Sequence, residues 1–196
     1  MKLPQLSLRD LFWLVALVGA ATPVAEGEPP ASPSATTRRV FLVDPTETDW
    51  KRIESPEKVR FLQLLSIEKE KSVNDVSVAN IVSFSNVEVL LLGCPELTDT
   101  ALKPVLTLKR LRFIAIETGK FTDDGIQQLA RLPSIEVIAF SDATISDEAL
   151  TKLKKALPSV EIESVHIGTA GKFHDANGCL TSEFLKLAKP RKESGN

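Results

Sequence analysis

From Val87 to Ile162 the chain states one pattern three times. Val87-Glu-Val-Leu90-Leu-Leu92 runs on through Leu97-Thr98-Asp99 to Leu102, Leu106 and Leu108. Leu111-Arg-Phe-Ile114-Ala-Ile116 runs on through Phe121-Thr122-Asp123 to Ile126, Leu129 and Leu132. Ile135-Glu-Val-Ile138-Ala-Phe140 runs on through Ile145-Ser146-Asp147 to Leu150, Leu153 and Leu157. The openings at 87, 111 and 135 are 24 residues apart, and a further opening at Val160 comes one residue late. A period of this length restricts the chain to architectures in which like units stack, because one unit cannot bury its apolar face alone.

Each unit reads as a short strand, a bend and a helical turn. Positions one, four and six point to one side. Thr98, Thr122 and Ser146 stand just before Asp99, Asp123 and Asp147, a hydroxyl and an acid suited to a helix start. Apolar residues follow at helical spacing. Pro104 sits too deep for a regular helix, so the first of these segments is expected to be broken or 3₁₀. Leu90, Leu92, Ile114, Ile116, Ile138 and Phe140 are the expected core, faced by Leu102, Leu106, Ile126, Leu129, Leu150 and Leu153.

The spacing L-x-x-L-x-L-x-x-x-x-L resembles the leucine-rich repeat. The T/S-D-x-A/G-L/I that follows resembles the short bacterial form of the ribonuclease-inhibitor-like and cysteine-containing branch, as does the terminal Leu153-Lys-Lys-Ala-Leu-Pro158-Ser-Val-Glu-Ile162. The resemblance implies an α/β solenoid with a parallel strand ladder on the concave face, short helices on the convex face, and a role in protein recognition. One departure stands out. The family often bonds backbone between turns through a polar ninth residue, and here that position holds Pro95, Gly119 and Ala143.

The rest of the chain frames this array. Residues 1–25 read as a signal peptide or N-terminal membrane anchor: Lys2 and Arg9, an apolar run from Leu11 to Gly19, and small residues at Val18-Gly-Ala20. Residues 26–38, with Pro29, Pro30 and Pro33, read as a linker. Residues 39–58 are the expected N-terminal cap, with a strand at Val40-Phe-Leu-Val43 and Trp50 covering the open end, in preference to Trp50 as an exposed binding anchor. About four repeats are expected over 59–167, the first degenerate, with Leu62-x-x-Leu65-x-Ile67 as its strand and Val73-Asn74-Asp75 in place of Leu97-Thr98-Asp99. Residues 168–196 are the expected C-terminal cap and polar tail, with a short amphipathic stretch from Thr181 to Leu187.

Composition narrows function. The 24 basic and 26 acidic residues nearly balance, and no basic patch with interleaved aromatics invites nucleic acid. His166, His174, Asp175 and Cys179 match no standard metal spacing and lack the third group a Cys-His hydrolase needs, so neither metal, cofactor nor catalytic residue is assigned. Cys94 and Cys179 could form one disulfide in an oxidising compartment, or Cys94 could serve as a small buried residue. The sequence thus points to a non-enzymatic module in the periplasm, cell envelope or extracellular space, with membrane attachment through 11–25 if the leader is retained. Its partner is expected to be a protein. A structural envelope protein that self-associates is the alternative, and the oligomeric state stays open.

The expected contact surface follows from strand parity. Residues three and five of each strand, Val89 and Leu91, Phe113 and Ala115, Val137 and Ala139, lie opposite the core and are all apolar, with Arg112 and Glu117 at the edge of Phe113. Such a patch with a charged rim is either a docking site or a face that a terminal segment covers. Glu88, Arg112 and Glu136 share the second position and are expected to form a charge ladder across three strands.

Overall fold

The computed structural model describes residues 38–67, 73–141, 145–165 and Thr181. The chain divides into two compact units, Met1–Thr36 and Thr37–Asn196, and the described residues belong to the second. The leader, the linker up to residue 37, His166, His174, Asp175, Cys179, Glu68 to Lys71 and the polar tail lie outside them.

Six strands form one all-parallel sheet in sequence order: β1 Arg38–Val43, β2 Val59–Leu65, β3 Val89–Thr98, β4 Phe113–Lys120, β5 Val137–Ser141 and β6 Glu161–Val165. The short helices are α1 Glu47–Lys51, α2 Asp75–Val78, α3 Leu102–Val105, α4 Asp123–Gln127 and α5 Asp147–Ala156. Parallel neighbours need a crossover between them, and here each connection carries a helix, a 3₁₀ turn or both. The fold is α/β, with its main core between the helices and one sheet face.

That core follows the expected positions. Leu90, Leu92, Ile114, Ile116, Ile138 and Phe140 are fully buried, and Leu102, Ile126, Leu129 and Leu153 pack against them. Leu106 and Leu150 are only partly buried, and Val105, one residue earlier than Leu106, is the inward residue. The reason lies in α3. A 3₁₀ turn at Asp99–Ala101 precedes it and Pro104 is its third residue, so the segment is short and its phase advances. Ile114→Ala, in the middle of the sheet, should lower stability by about 2–5 kcal/mol, read as the urea midpoint of the purified protein. An unchanged midpoint would contradict this burial.

Two registers differ from expectation. β2 does not begin its pattern at Leu62. Leu62 pairs with Leu90 and Leu64 with Leu92, so Val59-x-x-Leu62-x-Leu64 is the matching frame. The step from Val59 to Val87 is therefore longer than 24. The added residues fall in the connection after the strand, where length is tolerated. At the other end no residue is inserted. Val137 pairs with Glu161 and Ile138 with Ile162, which keeps the spacing of 24 and puts Val165 beside Ser141. Backbone pairing governs here, since slipping by one would turn Ile162 away from the core.

Trp50, in α1, is buried and meets Phe84 edge-on with ring centroids 5.9 Å apart, so it belongs to the core end and is not an exposed anchor. Beyond it, β1 joins the sheet as a full edge strand, pairing Val40 with Leu62 and Leu42 with Leu64.

Candidate functional site

The polar contacts between successive units come from a position assigned only to helix starts. The Asp75 carboxylate accepts from the Thr98 backbone N–H at 2.8 Å and from its hydroxyl at 2.5 Å. Asp99 accepts from Thr122 at 2.8 and 2.5 Å, and Asp123 from Ser146 at 3.0 and 2.5 Å. Thr122 and Ser146 in turn accept from Gly125 and Ala149, each at 3.1 Å, capping their helices. A carboxylate therefore joins each helix start to the next. The recurring T/S-D signal was legible; its reach across units was not, because a dipeptide shows its local cap and hides its partner 23 residues on.

Hydrogen bonds from Ser146 hold the Asp123 carboxyl below the ordinary value of 3.8, with a smaller contribution from the Lys152 charge. The sign follows directly. A carboxylate whose folded pKa is depressed stabilises the fold above the unfolded value, and that contribution is lost as pH falls through the folded value. Asp123→Asn should flatten the acid limb of the stability-pH profile below the usual carboxylate range. Urea midpoints at pH 7 and pH 3 check it: an undiminished difference between them in the variant would dissociate Asp123 from acid sensitivity.

The sheet face turned away from the helices carries the expected contact residues. Cross-strand pairing assembles them in rows. Phe61, Val89, Phe113 and Val137 make one, and Gln63, Leu91, Ala115 and Ala139 make the next. Phe61 and Gln63 belong to this surface too. The Leu62 frame concealed them, and the Val59 frame would have shown them. Glu117 follows at a register shift in β4 and has no opposite residue in β3. Its carboxylate oxygen lies 3.1 Å from where a Cβ on Gly93 would stand, so the glycine makes room for it.

This face is not open. Phe61, Val89, Leu91, Phe113, Ala115, Val137 and Ala139 form a second buried apolar cluster, each 5 % exposed or less, and Glu117 is buried beside them. These side chains are withdrawn from water, and the terminal segments expected as a possible cover lie outside the described residues apart from Thr181. The physical pressure is plain: a small sheet with only one buried face leaves much of its apolar surface in water.

The charge ladder exists and is longer than expected. Arg112 meets Glu136 through two bonds of 2.8 Å, from Nε and Nη2, and Glu88 through Nη1 at 3.4 Å. Arg60 adds a fourth member, 3.4 Å from Glu88. The Arg112 guanidinium also lies 4.9 Å from the centre of the Phe113 ring, an attractive arrangement of cation over aromatic face. Arg60, Glu88 and Arg112 side chains are only 12, 8 and 13 % exposed, whereas Glu136 is 37 % exposed. The ladder is therefore mostly withdrawn from water and bears on stability.

Cys94 is a free thiol, and Cys179, its candidate partner, lies outside the described residues. The Cys94 side chain turns into the helix-side core and donates to the Leu64 carbonyl at 3.5 Å. Burial, reinforced by the charge of Glu117, pushes the thiol up to about 12. Among the described residues no acidic, cysteine or histidine cluster has the makings of a metal site, and no helix is long and apolar enough to cross a membrane.

No family model matches the chain, and no curated protein matches it either. Fold and site together define an α/β protein with a single parallel sheet, apolar on both faces and crossed near one end of its strands by a four-residue charge ladder.

Proposed function

We propose that the protein is a leucine-rich-repeat-like solenoid, exported or membrane-tethered, that acts as a non-catalytic protein-interaction module through the concave face of its sheet. One observation carries this reading. A second apolar cluster, separate from the core under the helices, lies on a single sheet face, runs out to the exposed Phe41 ring at the β1 edge and is bordered by the Arg60–Glu88–Arg112–Glu136 ladder. A fold needs one such face to hold its helices. The other, with an aromatic at its centre and charges at its edge, has the chemistry of a recognition surface. Strands in sequence order, helices on one side and a spacing of 24 from β3 to β6 support the solenoid. The basic start and apolar run of residues 1–25 support export.

Site-directed photo-cross-linking in the intact protein tests the assignment. A photoreactive side chain at Phe41, the exposed aromatic position on the recognition face, should capture a protein partner. The same probe at Arg131, exposed on the helix side, should not. Capture from Arg131 alone, or from neither position, overturns it.

A second reading has its own observation. β1 is an edge strand, and its Phe41 and Val43 are 40 and 41 % exposed. Unpaired edges with apolar side chains favour association between copies, as a self-associating envelope protein would require. Sedimentation over a range of concentrations separates the two, since mass that rises with concentration at micromolar levels favours self-association.

A further inference from the structure

The chain as a whole is slightly acidic, with 24 basic and 26 acidic residues, yet the helix side keeps its charges apart. Acids stand at the starts of the helical segments, where Asp99 and Asp123 are engaged by Thr122 and Ser146. Bases gather toward the ends. Lys103, Lys109 and Arg110 lie in and after α3, Arg131 ends the 3₁₀ turn after α4, and Lys154 and Lys155 lie in the last turn of α5. None of these six has an ion-pair partner among the described residues. Elsewhere Lys51, Lys120 and Lys152 are each paired with a glutamate. Helix ends do favour cations. That does not account for this set, because α3 and α4 have only four and five residues and Lys109 and Arg110 lie past the last turn.

The cations meet apolar surface. Lys103, Lys109 and Arg131, from two neighbouring units, line one open groove of about 440 Å³ together with Leu106. Hydrogen bonds fix the units side by side here: the Ser134 hydroxyl donates to the Lys109 carbonyl at 2.9 Å, and the Gln127 amide donates to the Ala149 carbonyl at 2.8 Å. Leu106 is half-buried, and its counterpart one unit earlier is Val82. Val78, Ile81 and Phe84 are buried as Leu102, Val105 and Leu108 are, which establishes that equivalence. Val82 is 55 % exposed. An apolar pair is thus turned outward beside a set of uncompensated positive charges.

We propose that this flank docks on an anionic phospholipid bilayer, with Val82 and Leu106 entering the headgroup boundary and the cations meeting lipid phosphates. Two observations select this occupant. The six cations come from three successive helical segments, and packed helices stand about 8–10 Å apart, so the set is wider than one headgroup or one small anion. Most of them are exposed lysines on flexible stems, which suit many mobile phosphates better than one fixed partner group. Apolar residues beside lysine and arginine are the chemistry of the interface between headgroups and acyl chains. This surface lies on the helix side, away from the sheet face assigned to a protein partner, and lipid bound there yields no protein adduct at Arg131.

Vesicle co-sedimentation of the full chain tests the assignment, with phosphatidylcholine alone and with an equal mixture of phosphatidylcholine and phosphatidylglycerol. The quantity read is the ratio of the two affinities, in which any contribution common to both vesicles cancels. Lys103→Gln with Arg131→Gln should lower that ratio at least about tenfold, as the loss of two cations at an anionic leaflet requires. Lys51→Gln with Lys120→Gln removes the same charge from ion pairs elsewhere and should leave the ratio within about twofold. Val82→Gln keeps every charge and should still weaken binding to the mixed vesicles, because apolar insertion is lost. A ratio unmoved by the first pair, an equal loss in both pairs, or mixed-vesicle binding unmoved by Val82→Gln overturns the assignment. So does soluble polyglutamate that binds the parent chain as tightly as the mixed vesicles, since the flank would then suit an acidic protein. No protein partner takes part in this measurement, so its failure leaves the cross-linking result standing.

Discussion

Phe113→Asp should unfold the domain. Emptying a buried phenylalanine site costs about 3–5 kcal/mol, and a carboxylate left there adds the penalty of a charge away from water. Phe113 is 2 % exposed and surrounded by apolar neighbours on its face. Arg112 is nearby but already engaged by Glu88 and Glu136. The sum is comparable to the whole stability of a domain, about 5–15 kcal/mol. The control is Phe41→Asp on the same face, where the ring is 40 % exposed and rests on Phe61 at 5.5 Å. That change should cost about 1 kcal/mol, the order of one aromatic contact. Far-UV circular dichroism and urea midpoints distinguish the two. A Phe113→Asp protein that folds with nearly the parental midpoint would mean that this face is open to water in solution.

Arg112→Glu should be the next most damaging change, at about 3–5 kcal/mol, the usual consequence of removing one partner from a buried ion pair. The substitution does more than delete a cation. It sets a third carboxylate between Glu88 and Glu136 and removes the cation from the Phe113 ring. Glu136→Gln probes the solvated end of the same ladder, where an exposed pair contributes about 0–1 kcal/mol. The two variants should thus differ severalfold in their shift of urea midpoint. If Arg112→Glu costs no more than Glu136→Gln, the ladder is a solvated rim and its burial has no energetic meaning.

The period was the most informative part of the sequence. It placed the strands β3 to β5, the helix starts at Thr98, Thr122 and Ser146, and the fully buried Leu90, Ile114 and Ile138. Such positions repeat because every unit faces the same neighbours, so local spacing and long-range packing demand the same residues. Legibility failed where the units stop being alike. In β2 two frames fitted the letters, and only pairing with β3 chose Val59 over Leu62.

The sequence alone determined the α/β character, the strand faces and the alternation of charges at 88, 112 and 136, since each follows from the two-residue parity of a strand and the constant step between strands. Tertiary structure decided the rest. It extended the ladder to Arg60, turned Asp75, Asp99 and Asp123 into links between units, and withdrew the Phe113 face from water. Those outcomes depend on which groups meet across space and how much solvent remains between them. A pattern of residue types specifies which face a side chain occupies, but burial is a property of everything packed against that face.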